Sequence, residues 1–451
     1  MNSRNQAPGP KGLPILGNAR DFTKDALGFL DGCQKQFGDL FHLKLSGVKG
    51  YVALHPSLIQ QVLSQNQQNY SKSTRGILKY REVLGTGLFT SEGDHWRRQR
   101  RIVQPTLKKA PVDSFSRIML EEAKSLSEHW EENYLDLPSF DLYSDMMRIT
   151  LKIVSLALLG KDVSDATSSV GQALDYIFRI SHARILRPID LPLWVPTPEH
   201  KRLRNAIREL DVVVHRIISN QRTQDVDDNN LISRLIHARD PETGESMTDS
   251  QVRDEVLIMF LAGHETTANT LAWLWYSLSQ SPESDQRLQE EIQSVVKGEF
   301  VQLEEICQLK YTEALIQETM RLYPPGWWFA RRAVGSDNLD GYHLPKDHHV
   351  WMCAFLTHRH PEFWQRPNEF EPERFLKKGI NDTHRFAYFP FGGGARYCIG
   401  SHFAMLEMKI IVATLVKRFR FSLPPDFSVV LSPRSTLRPL HGMRMKLRLR
   451  K

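Results

Sequence analysis

Apolar positions follow two different periods along this chain. Residues 41–45 and 51–54 alternate between apolar and polar side chains, which predicts a hairpin around the glycine-containing stretch between them. Residues 443–450 alternate basic with apolar side chains, which predicts another strand. Most of the remaining chain has helical spacing, with proline and glycine between the segments. The pattern therefore predicts a mainly α fold with small β-sheets.

Two predicted helices stand out by their apolar residues. The first begins at a capping-box pattern between Thr248 and Gln251 and continues to about Ser279. It is apolar on most faces, and at the rise of an α-helix it would be about 50 Å long, so we expect it to cross the centre of a large domain. The second follows Cys398, and its apolar residues recur at spacings of three and four: Ile399, Phe403, Leu406, Ile410 and Ala413.

Composition narrows the class of protein. The 451 residues are 41% hydrophobic and 25% charged, which excludes a disordered or repetitive chain. The net charge of +7 is compatible with an acidic partner, nucleic acid or an anionic surface, and nothing else in the sequence supports nucleic acid. The N-terminal residues lack the apolar core of a signal peptide. The apolar stretch 256–278 contains His264 and Glu265, unlike a membrane span. We expect a cytoplasmic protein without a transmembrane anchor in this chain.

The four cysteines lie far apart without a C-x-x-C pair, which argues against a zinc ribbon or a cysteine-ligated cluster. One of them ends a glycine-rich loop, in which residues 392–394 are glycine, followed by Arg396, Cys398 and Gly400. Glycines let a backbone approach a flat ligand, and a cysteine at the start of a helix favours the thiolate. Taken alone, a cysteine such as Cys398 is more often a buried structural residue, since free cysteine packs as a small apolar side chain. A phosphate-binding loop is disfavoured because no Gly-Lys-Ser/Thr follows. Because the loop also has an arginine that could bind a carboxylate, it is suited to bind iron that is held in a dianionic macrocycle.

The same segment resembles the F-x-x-G-x-R-x-C-x-G signature of the cytochrome P450 family, the haem-thiolate monooxygenases, and matches each fixed position. The resemblance implies that haem b is the cofactor, that Cys398 is the axial iron ligand, that Phe391 packs close to the sulfur and that Arg396 binds a haem propionate. It also implies the P450 fold, with the long central helix crossing over the haem. We expect a single domain over residues 1–451, with a β-rich portion at about 1–70 and a helix-rich haem and substrate portion at about 71–451.

Further motifs match family positions for the propionates. Trp96 and Arg100 fit a W-x-x-x-R motif whose residues reach the propionates. Arg331 is the best match for another propionate arginine, although the neighbouring Arg332 leaves the register open. Because propionates are anions in a partly closed site, converging arginines are physically expected.

A second family motif lies in the middle of the long helix, where residues 262–267 read Ala-Gly-His-Glu-Thr-Thr. Ala268 replaces the second histidine of H-E-x-x-H, so a metalloprotease zinc site is rejected. Gly263 costs roughly 1 kcal/mol inside a helix, and close passage of a ligand would explain it. Taken alone, the threonine hydroxyls could donate hydrogen bonds to backbone carbonyls one helical turn earlier. The segment resembles A-G-x-[DE]-T, which implies that Glu265 and Thr266 are catalytic and deliver protons during activation of O2.

A charged set matches the family's E-x-x-R and its downstream arginine: Glu318, Arg321 and Arg374. As an isolated pair the first two could be a surface contact, whereas the resemblance implies a buried structural network that holds the cysteine loop.

The same resemblance places the substrate pocket in apolar segments, and the candidate lining residues are Phe89, Phe260, Ala262, Gly263, Trp327, Trp328, Thr436 and Leu437. We expect a hydrophobic substrate of the fatty acid, terpenoid or steroid class, in a pocket that Trp327 and Trp328 narrow if they point inward.

The expected reaction inserts one oxygen atom of O2 by hydroxylation or epoxidation and needs two electrons. We expect a monomer that receives them from a ferredoxin or flavodoxin with its reductase, and ultimately from NAD(P)H. A basic cluster is the hypothesised docking face: Arg97, Arg98, Arg100, Arg101, Lys108 and Lys109. Two alternatives stay open. One is a haem-thiolate isomerase, dehydratase or peroxygenase, although such relatives usually lack the acid–threonine pair. The other is a non-enzymatic haem or small-molecule binding protein.

Overall fold

The computed structural model describes residues 6–160, 169–187, 190–223, 230–376 and 383–450. Helices dominate this part of the chain, as the apolar spacing predicts. In chain order they are α1 (Ala19–Lys24), α2 (Ala26–Phe37), α3 (Pro56–Gln60), α4 (Arg75–Leu84), α5 (Gly93–Val103), α6 (Lys109–Asp113), α7 (Ser116–Asn133), α8 (Leu142–Leu159), α9 (Ser169–Leu186), α10 (Pro198–Thr223), α11 (Leu231–His237), α12 (Asp249–Gln280), α13 (Pro282–Val295), α14 (Leu303–Ile306), α15 (Lys310–Leu322), α16 (Ala354–Thr357) and α17 (Ser401–Arg418).

Short strands form four small sheets within the described residues. The strands are β1 (Leu40–Leu45), β2 (Val48–Ala53), β3 (Tyr70–Ser71), β4 (Phe140–Asp141), β5 (Trp328–Ala333), β6 (Asp337–Leu339), β7 (Tyr342–Leu344), β8 (His349–Cys353), β9 (Phe419–Ser422), β10 (Leu431–Pro433), β11 (Leu437–Pro439) and β12 (Arg444–Leu449). The largest sheet has the order β1-β2-β8-β5-β3, and the others are β4-β12-β9, β10-β11 and β6-β7. The tail predicted as a strand is β12.

The predicted hairpin is present with a tighter turn than the sequence indicates. Leu45 lies opposite Val48, so only Ser46 and Gly47 connect β1 to β2. Both have positive φ, 47° and 86°, as two-residue hairpin turns require. The second strand therefore begins three residues earlier than residue 51. The apolar alternation is blurred there because Gly50 packs against the His349 carbonyl of β8, where a side chain would collide.

The largest sheet joins distant parts of the chain. β2 pairs in parallel with β8, and β8 pairs antiparallel with β5. The sheet is thus not confined to the predicted β-rich portion at residues 1–70, because strands about 300 residues downstream complete it, as with Gly50 opposite His349. This arrangement carries β5 to the edge of the central helix region.

The long predicted helix is α12, with 32 residues and the predicted capping box between Thr248 and Gln251. Its C-terminal half is buried all round, including Trp273 and Trp275. Thr150 of α8 donates a hydrogen bond to the His264 carbonyl at 3.0 Å. α12 therefore crosses the core, as its apolar faces predict.

The second predicted helix, α17, begins at Ser401, with Gly400 as its N-cap residue. Phe403, Leu406 and Ile410 are buried as the spacing predicts. No helix in the described part of the chain has the length and apolarity needed to cross a membrane.

Candidate active site

A cavity of about 700 Å³ lies between α12, the glycine-rich loop before α17, β5 and the segment from β3 to α5. Its walls are mainly apolar, as in small-molecule sites. The sequence-predicted residues that line it are Cys398, Arg396, Phe391, Trp96, Arg100, Arg331, Glu265, Thr266, Phe89, Ala262, Gly263, Trp327, Trp328 and Thr436. Residues more than 300 positions apart are thus brought to one site.

Phe260 and Leu437 were expected to line the pocket, and the structure places them in the core instead. Both are buried, at 2% and 0% exposure, and neither is among the residues that line this cavity. Phe260 lies two positions before Ala262, about 200° around the helix, and so faces the opposite side. The Leu437 carbonyl accepts a hydrogen bond from the Trp273 indole at 3.0 Å, which fixes this residue against α12.

Gly263 has a packing role that the sequence does not reveal. A Cβ at this position would lie 2.8 Å from Cγ2 of Val154 on α8. Gly263 also lines the cavity, but the close approach of α8 accounts for the glycine. The expectation that ligand passage explains it is therefore corrected, because the space that its missing side chain leaves is filled by Val154.

The glycine-rich loop holds Cys398 at the cavity wall. The Cys398 N–H donates to the Phe391 carbonyl at 3.0 Å, which closes the loop. Gly394 has φ of 64°, and a Cβ there would overlap the Leu63 carbonyl oxygen. The loop thus requires this glycine twice, for its left-handed backbone and for its approach to Leu63.

The Cys398 side chain is accessible from the cavity, while protein atoms crowd its other sides. Burial raises the pKa of its thiol, and the Gly400 N–H with the charges of Arg100 and Lys72 opposes the increase. The expectation that a helix N-terminus favours the thiolate is not met, because α17 begins only at Ser401 and burial outweighs the nearby donors. A bound metal cation would deprotonate a coordinating thiol.

Four cations line the cavity near Cys398, and we call them the cationic rim: Lys72, Arg100, Arg331 and Arg396. Burial lowers the pKa of Arg331 and of Arg396 to about 10. Burial, with the charges of Arg331 and Arg396, also holds the pKa of Lys72 well below its ordinary value. Among the described residues, Glu92 is the acidic partner of this rim, and its carboxylate lies 3.3 Å from the Arg396 guanidinium. The excess positive charge suits a ligand with two carboxylates.

Lys72 was missed by the sequence reasoning. It follows β3, and its ammonium donates to the Phe89 carbonyl at 2.9 Å and lies 4.1 Å from the centre of the Phe89 ring. No motif surrounds it, so the sequence carries no signal that distinguishes it from a surface lysine. Only the folded chain places it beside Arg331 and Arg396.

The structure distinguishes between the two adjacent arginines of β5. Arg331 is 9% exposed and lines the cavity, whereas Arg332 lies 3.6 Å from the carboxylate of Asp347. Successive side chains of a strand point to opposite faces, so only Arg331 belongs to the cationic rim. Trp96 stacks on this rim, with the Arg396 guanidinium 3.8 Å from its ring centre.

The cavity residues fit an iron porphyrin. One sulfur faces the cavity, Gly392 and Gly393 line it without side chains, and the cationic rim carries more positive charge than Glu92 balances. A haem supplies iron for the sulfur and two propionates for the rim, which would relieve the repulsion among buried cations.

The acid and the alcohol of α12 have separate partners. The Thr266 hydroxyl donates to the Ala262 carbonyl one turn earlier at 2.7 Å. Glu265 instead accepts a hydrogen bond from the Thr436 hydroxyl at 2.6 Å. Both residues line the cavity, so a carboxyl group and a hydroxyl group face the same space as Cys398.

The charged set expected to support the cysteine loop is brought together in the core. The Arg321 guanidinium binds both oxygens of Glu318, at 2.7 and 2.8 Å, and both side chains are fully buried. Arg374 donates to Glu318 at 3.3 Å. Arg321 also donates to the carbonyls of His358 and Pro367. The network therefore ties α15 to the segment that leads into the glycine-rich loop.

Most of the basic cluster proposed as a docking face is engaged elsewhere. Arg98 and Arg101 lie within 3.9 and 2.8 Å of the buried Asp240. Arg97 pairs with Asp94 on the same helix, and Arg100 belongs to the cationic rim. The cluster is thus largely neutralised, which weakens it as a surface for an acidic partner.

Comparison with known proteins covers nearly the whole chain. The family model described as Cytochrome P450 matches residues 7–445. Cyclooctatin synthase of Streptomyces melanosporofaciens is 31% identical over 95% of this chain and 92% of its own length. Pentalenene oxygenase of Streptomyces avermitilis is 30% identical over 98% and 96%, and cyclooctat-9-en-7-ol 5-monooxygenase of S. melanosporofaciens is 30% identical over 91% and 88%. The similarity to the family thus extends from the short motifs to nearly the whole chain. The chain belongs to the cytochrome P450 family of monooxygenases.

Proposed function

We propose that the protein inserts one atom of O2 into a terpenoid substrate, by hydroxylation of a C–H bond or epoxidation of a double bond. The observation that carries the proposal is the meeting of Cys398, Glu265 and Thr266 at one apolar cavity. Two of the similar proteins are named for pentalenene and for cyclooctat-9-en-7-ol, which are terpenoids. This favours a terpenoid over a fatty acid or a steroid.

Haem b, when bound, supplies the iron that activates O2 for insertion. This chain's residues would provide the sulfur ligand at Cys398 and hold the propionates with the cationic rim. Glu265, held by the Thr436 hydroxyl, would pass protons from water toward the cavity, and the Thr266 hydroxyl would turn from the Ala262 carbonyl to hand them on. The surrounding apolar walls would exclude bulk water from the reacting atoms.

Stacked aromatic side chains support a rigid, ring-containing substrate. Trp328 stacks with Trp327 at 5.6 Å and with Trp351 at 6.3 Å between ring centres, and all three line the cavity. Phe22 of α1 lies 5.4 Å from Trp328. Trp327 is held in place because its indole donates to the Arg434 carbonyl at 2.8 Å. A flat wall of this kind suits the surface of a fused-ring hydrocarbon.

The electron donor would dock on the opposite side of the glycine-rich loop. A second cleft is lined by Phe391 and Tyr397 of that loop. Its charged lining residues are Lys109, Lys310, Arg385, Asp113, Glu304 and the pair Lys409–Glu313, so the basic residues exceed the acidic ones by one. An acidic ferredoxin or flavodoxin bound there would lie next to the chain segment that carries Cys398. We therefore place the docking surface at this cleft, which we call the proximal cleft. It keeps Lys109 of the basic cluster and leaves out the arginines that are engaged elsewhere.

Reconstitution tests the function directly. The haem-loaded protein, a surrogate ferredoxin with its reductase and NADPH should convert members of a terpenoid panel into products that carry one ¹⁸O atom from ¹⁸O2. The panel is first screened for shifts of the haem absorption band, which reports ligands close to the iron. Fatty acids and steroids serve as the competing ligand classes. Incorporation of ¹⁸O into fatty acids alone would contradict the terpenoid assignment.

The remaining alternatives differ in what they require. A peroxygenase or isomerase forms product without the redox chain, whereas the proposed reaction stops when the ferredoxin is omitted. A binding protein shifts the haem band and forms no product under any condition. The Glu265→Gln variant is the matched control for proton delivery, because it keeps the shape of the side chain and removes the acid.

A further inference from the structure

Glu255 is a buried carboxyl at the cavity for which the reaction above has no use. It lies on α12 two turns before Ala262, is 1% exposed and is among the residues that line the cavity. One of its oxygens, Oε1, accepts a hydrogen bond from the Leu88 N–H at 2.8 Å. The other, Oε2, is buried without a hydrogen-bond partner among the described residues. A buried oxygen left unpaired is costly, so a function is expected for it.

Anchoring of the loop before α5 does not account for the second oxygen. The preceding residue, Asp254, already holds this loop, because its carboxylate accepts from the Thr86 N–H at 2.7 Å. Glu255 needs only Oε1 for the same task at Leu88. Oε2 therefore remains an unpaired oxygen that protein atoms cover, in a residue that borders the cavity together with Ile258 and Met259.

Neutralisation of the cationic rim does not account for it either. Arg396 already has a carboxylate partner, Glu92, at 3.3 Å. Burial raises the pKa of Glu255 to about 8, with Asp254 adding to the effect of burial. The carboxyl thus keeps its proton at neutral pH, and a protonated carboxyl is a hydrogen-bond donor as well as an acceptor.

We propose that Glu255 is a substrate-recognition residue whose carboxyl turns toward the cavity and donates a hydrogen bond to an oxygen atom that the substrate already carries. The inference rests on the proposed function and refines it, because it selects oxygenated terpenoids, such as alcohols or ketones, over the parent hydrocarbons. A site built to bind an oxygen discriminates against analogues that lack it, since its own polar group is then left unpaired. The reaction that supplies this substrate is accordingly one that has already introduced an oxygen.

Matched ligands and matched variants test the assignment. The holoenzyme is titrated by calorimetry with α-cedrene and cedrol, and with abietadiene and abietadienol, so that each pair compares a hydrocarbon with its alcohol. Glu255→Met removes the polar group and keeps an unbranched side chain. Glu255→Gln keeps the acceptor for Leu88 and provides an N–H donor. Asp254→Asn is the control for weakened anchoring of the loop.

Glu255→Met should weaken alcohol binding by about tenfold, the equivalent of about 1.4 kcal/mol, and leave hydrocarbon binding unchanged. Glu255→Gln should retain most of the preference, and Asp254→Asn should not alter the ratio. An equal loss for both members of a pair, or no loss, would overturn the inference. If no terpenoid of either kind binds, the terpenoid assignment itself fails and this inference fails with it.

A second measurement does not depend on the folding of Glu255→Met. The infrared band of the protonated carboxyl in the wild-type holoenzyme should move to lower frequency when cedrol is added and stay in place with α-cedrene. The band is assigned by its loss in Glu255→Gln. If the frequency of the band does not change on addition of cedrol, although calorimetry shows that cedrol binds, the proposal is also contradicted.

Discussion

The Thr436 hydroxyl donates a hydrogen bond to Glu265 at 2.6 Å, and this contact joins the turn between β10 and β11 to the middle of α12. The neighbouring Ser435 accepts a hydrogen bond from Tyr80 of α4 at 2.8 Å. The turn therefore connects two walls of the cavity to the acid that is proposed to carry protons. A substrate that moves this turn would also move Glu265.

Thr436→Val removes the donor and keeps the shape of the side chain. We expect the share of consumed electrons that reaches product to fall by about tenfold, the size of losing one hydrogen bond to a charged group, about 1.5 kcal/mol, with a matching rise in hydrogen peroxide. Thr436→Ser restores the hydroxyl and should restore coupling. Equal coupling in the valine and serine variants would mean that Thr436 does not position Glu265.

The sequence motifs predict the residues to which we assign the chemistry and leave out those that position them. Cys398, Glu265 and Thr266 belong to contiguous motifs, so their neighbours in the chain reveal them. The Thr436 contact spans 171 positions, and Lys72 has no motif at all, so neither relation leaves a local signal. The sequence misplaces Phe260 because its neighbours Ala262 and Gly263 do line the pocket, while a helix turns its successive side chains away from each other.

Gly263→Ala tests the close approach of α8 to α12. The added Cβ would lie 2.8 Å from Val154 Cγ2, and overpacking of this kind costs about 1–3 kcal/mol. We expect a lower free energy of unfolding by that amount in urea titrations. Val154→Ala opens the required space, so the double variant should be more stable than the sum of the two single changes predicts. Additive effects would show that the two positions do not touch.

Glu318→Gln tests the buried network below the loop. Arg321 would lose its counter-charge in a place where both side chains are fully buried, and such a change costs about 3–5 kcal/mol. We expect the free energy of unfolding, measured by urea titration, to fall by this amount, and we expect haem to be released faster. The matched control is Asp31→Asn, which breaks the exposed Lys35–Asp31 pair of α2 and should cost about 0.5 kcal/mol or less. Comparable losses in both variants would contradict the structural role of Glu318.

The pH dependence of stability should contain a contribution from Glu255. Burial raises the pKa of this carboxyl from 4.5 to about 8. Between these values the folded protein keeps a proton that the unfolded chain releases, so the free energy of unfolding falls as pH rises and levels off above about 8. The slope from one such group is at most about 1.4 kcal/mol per pH unit.

Glu255→Gln should remove this slope. We expect the wild type to lose stability relative to this variant as pH is raised from 5 to 9, because only the wild type has a carboxyl that the unfolded chain deprotonates first. The exposed Glu290 of α13, changed to Gln, provides the control, and its curve should stay parallel to that of the wild type. A parallel curve for Glu255→Gln as well would show that the carboxyl is ionised in the folded protein.

Electron delivery should respond to charge at the proximal cleft. Because Lys109 and Arg385 line this cleft beside the glycine-rich loop, reversing both charges should slow reduction of the haem by an acidic ferredoxin. Stopped-flow formation of the reduced carbon monoxide complex measures the rate. Charges at the edge of a docking surface act mainly on the rate of association. Raising the ionic strength should therefore slow reduction of the wild type and affect reduction of the double variant less.

Lys201→Glu is the control for total charge, since Lys201 is an exposed residue of α10 and does not line the proximal cleft. It should reduce the rate by less than the changes at the cleft. If Lys201→Glu slows reduction as much as the double variant, the effect reflects net charge and no particular face. Reduction of the wild type that is independent of salt would remove electrostatic docking altogether, and the partner would then have to be held by the apolar part of the cleft, around Phe391 and Tyr397.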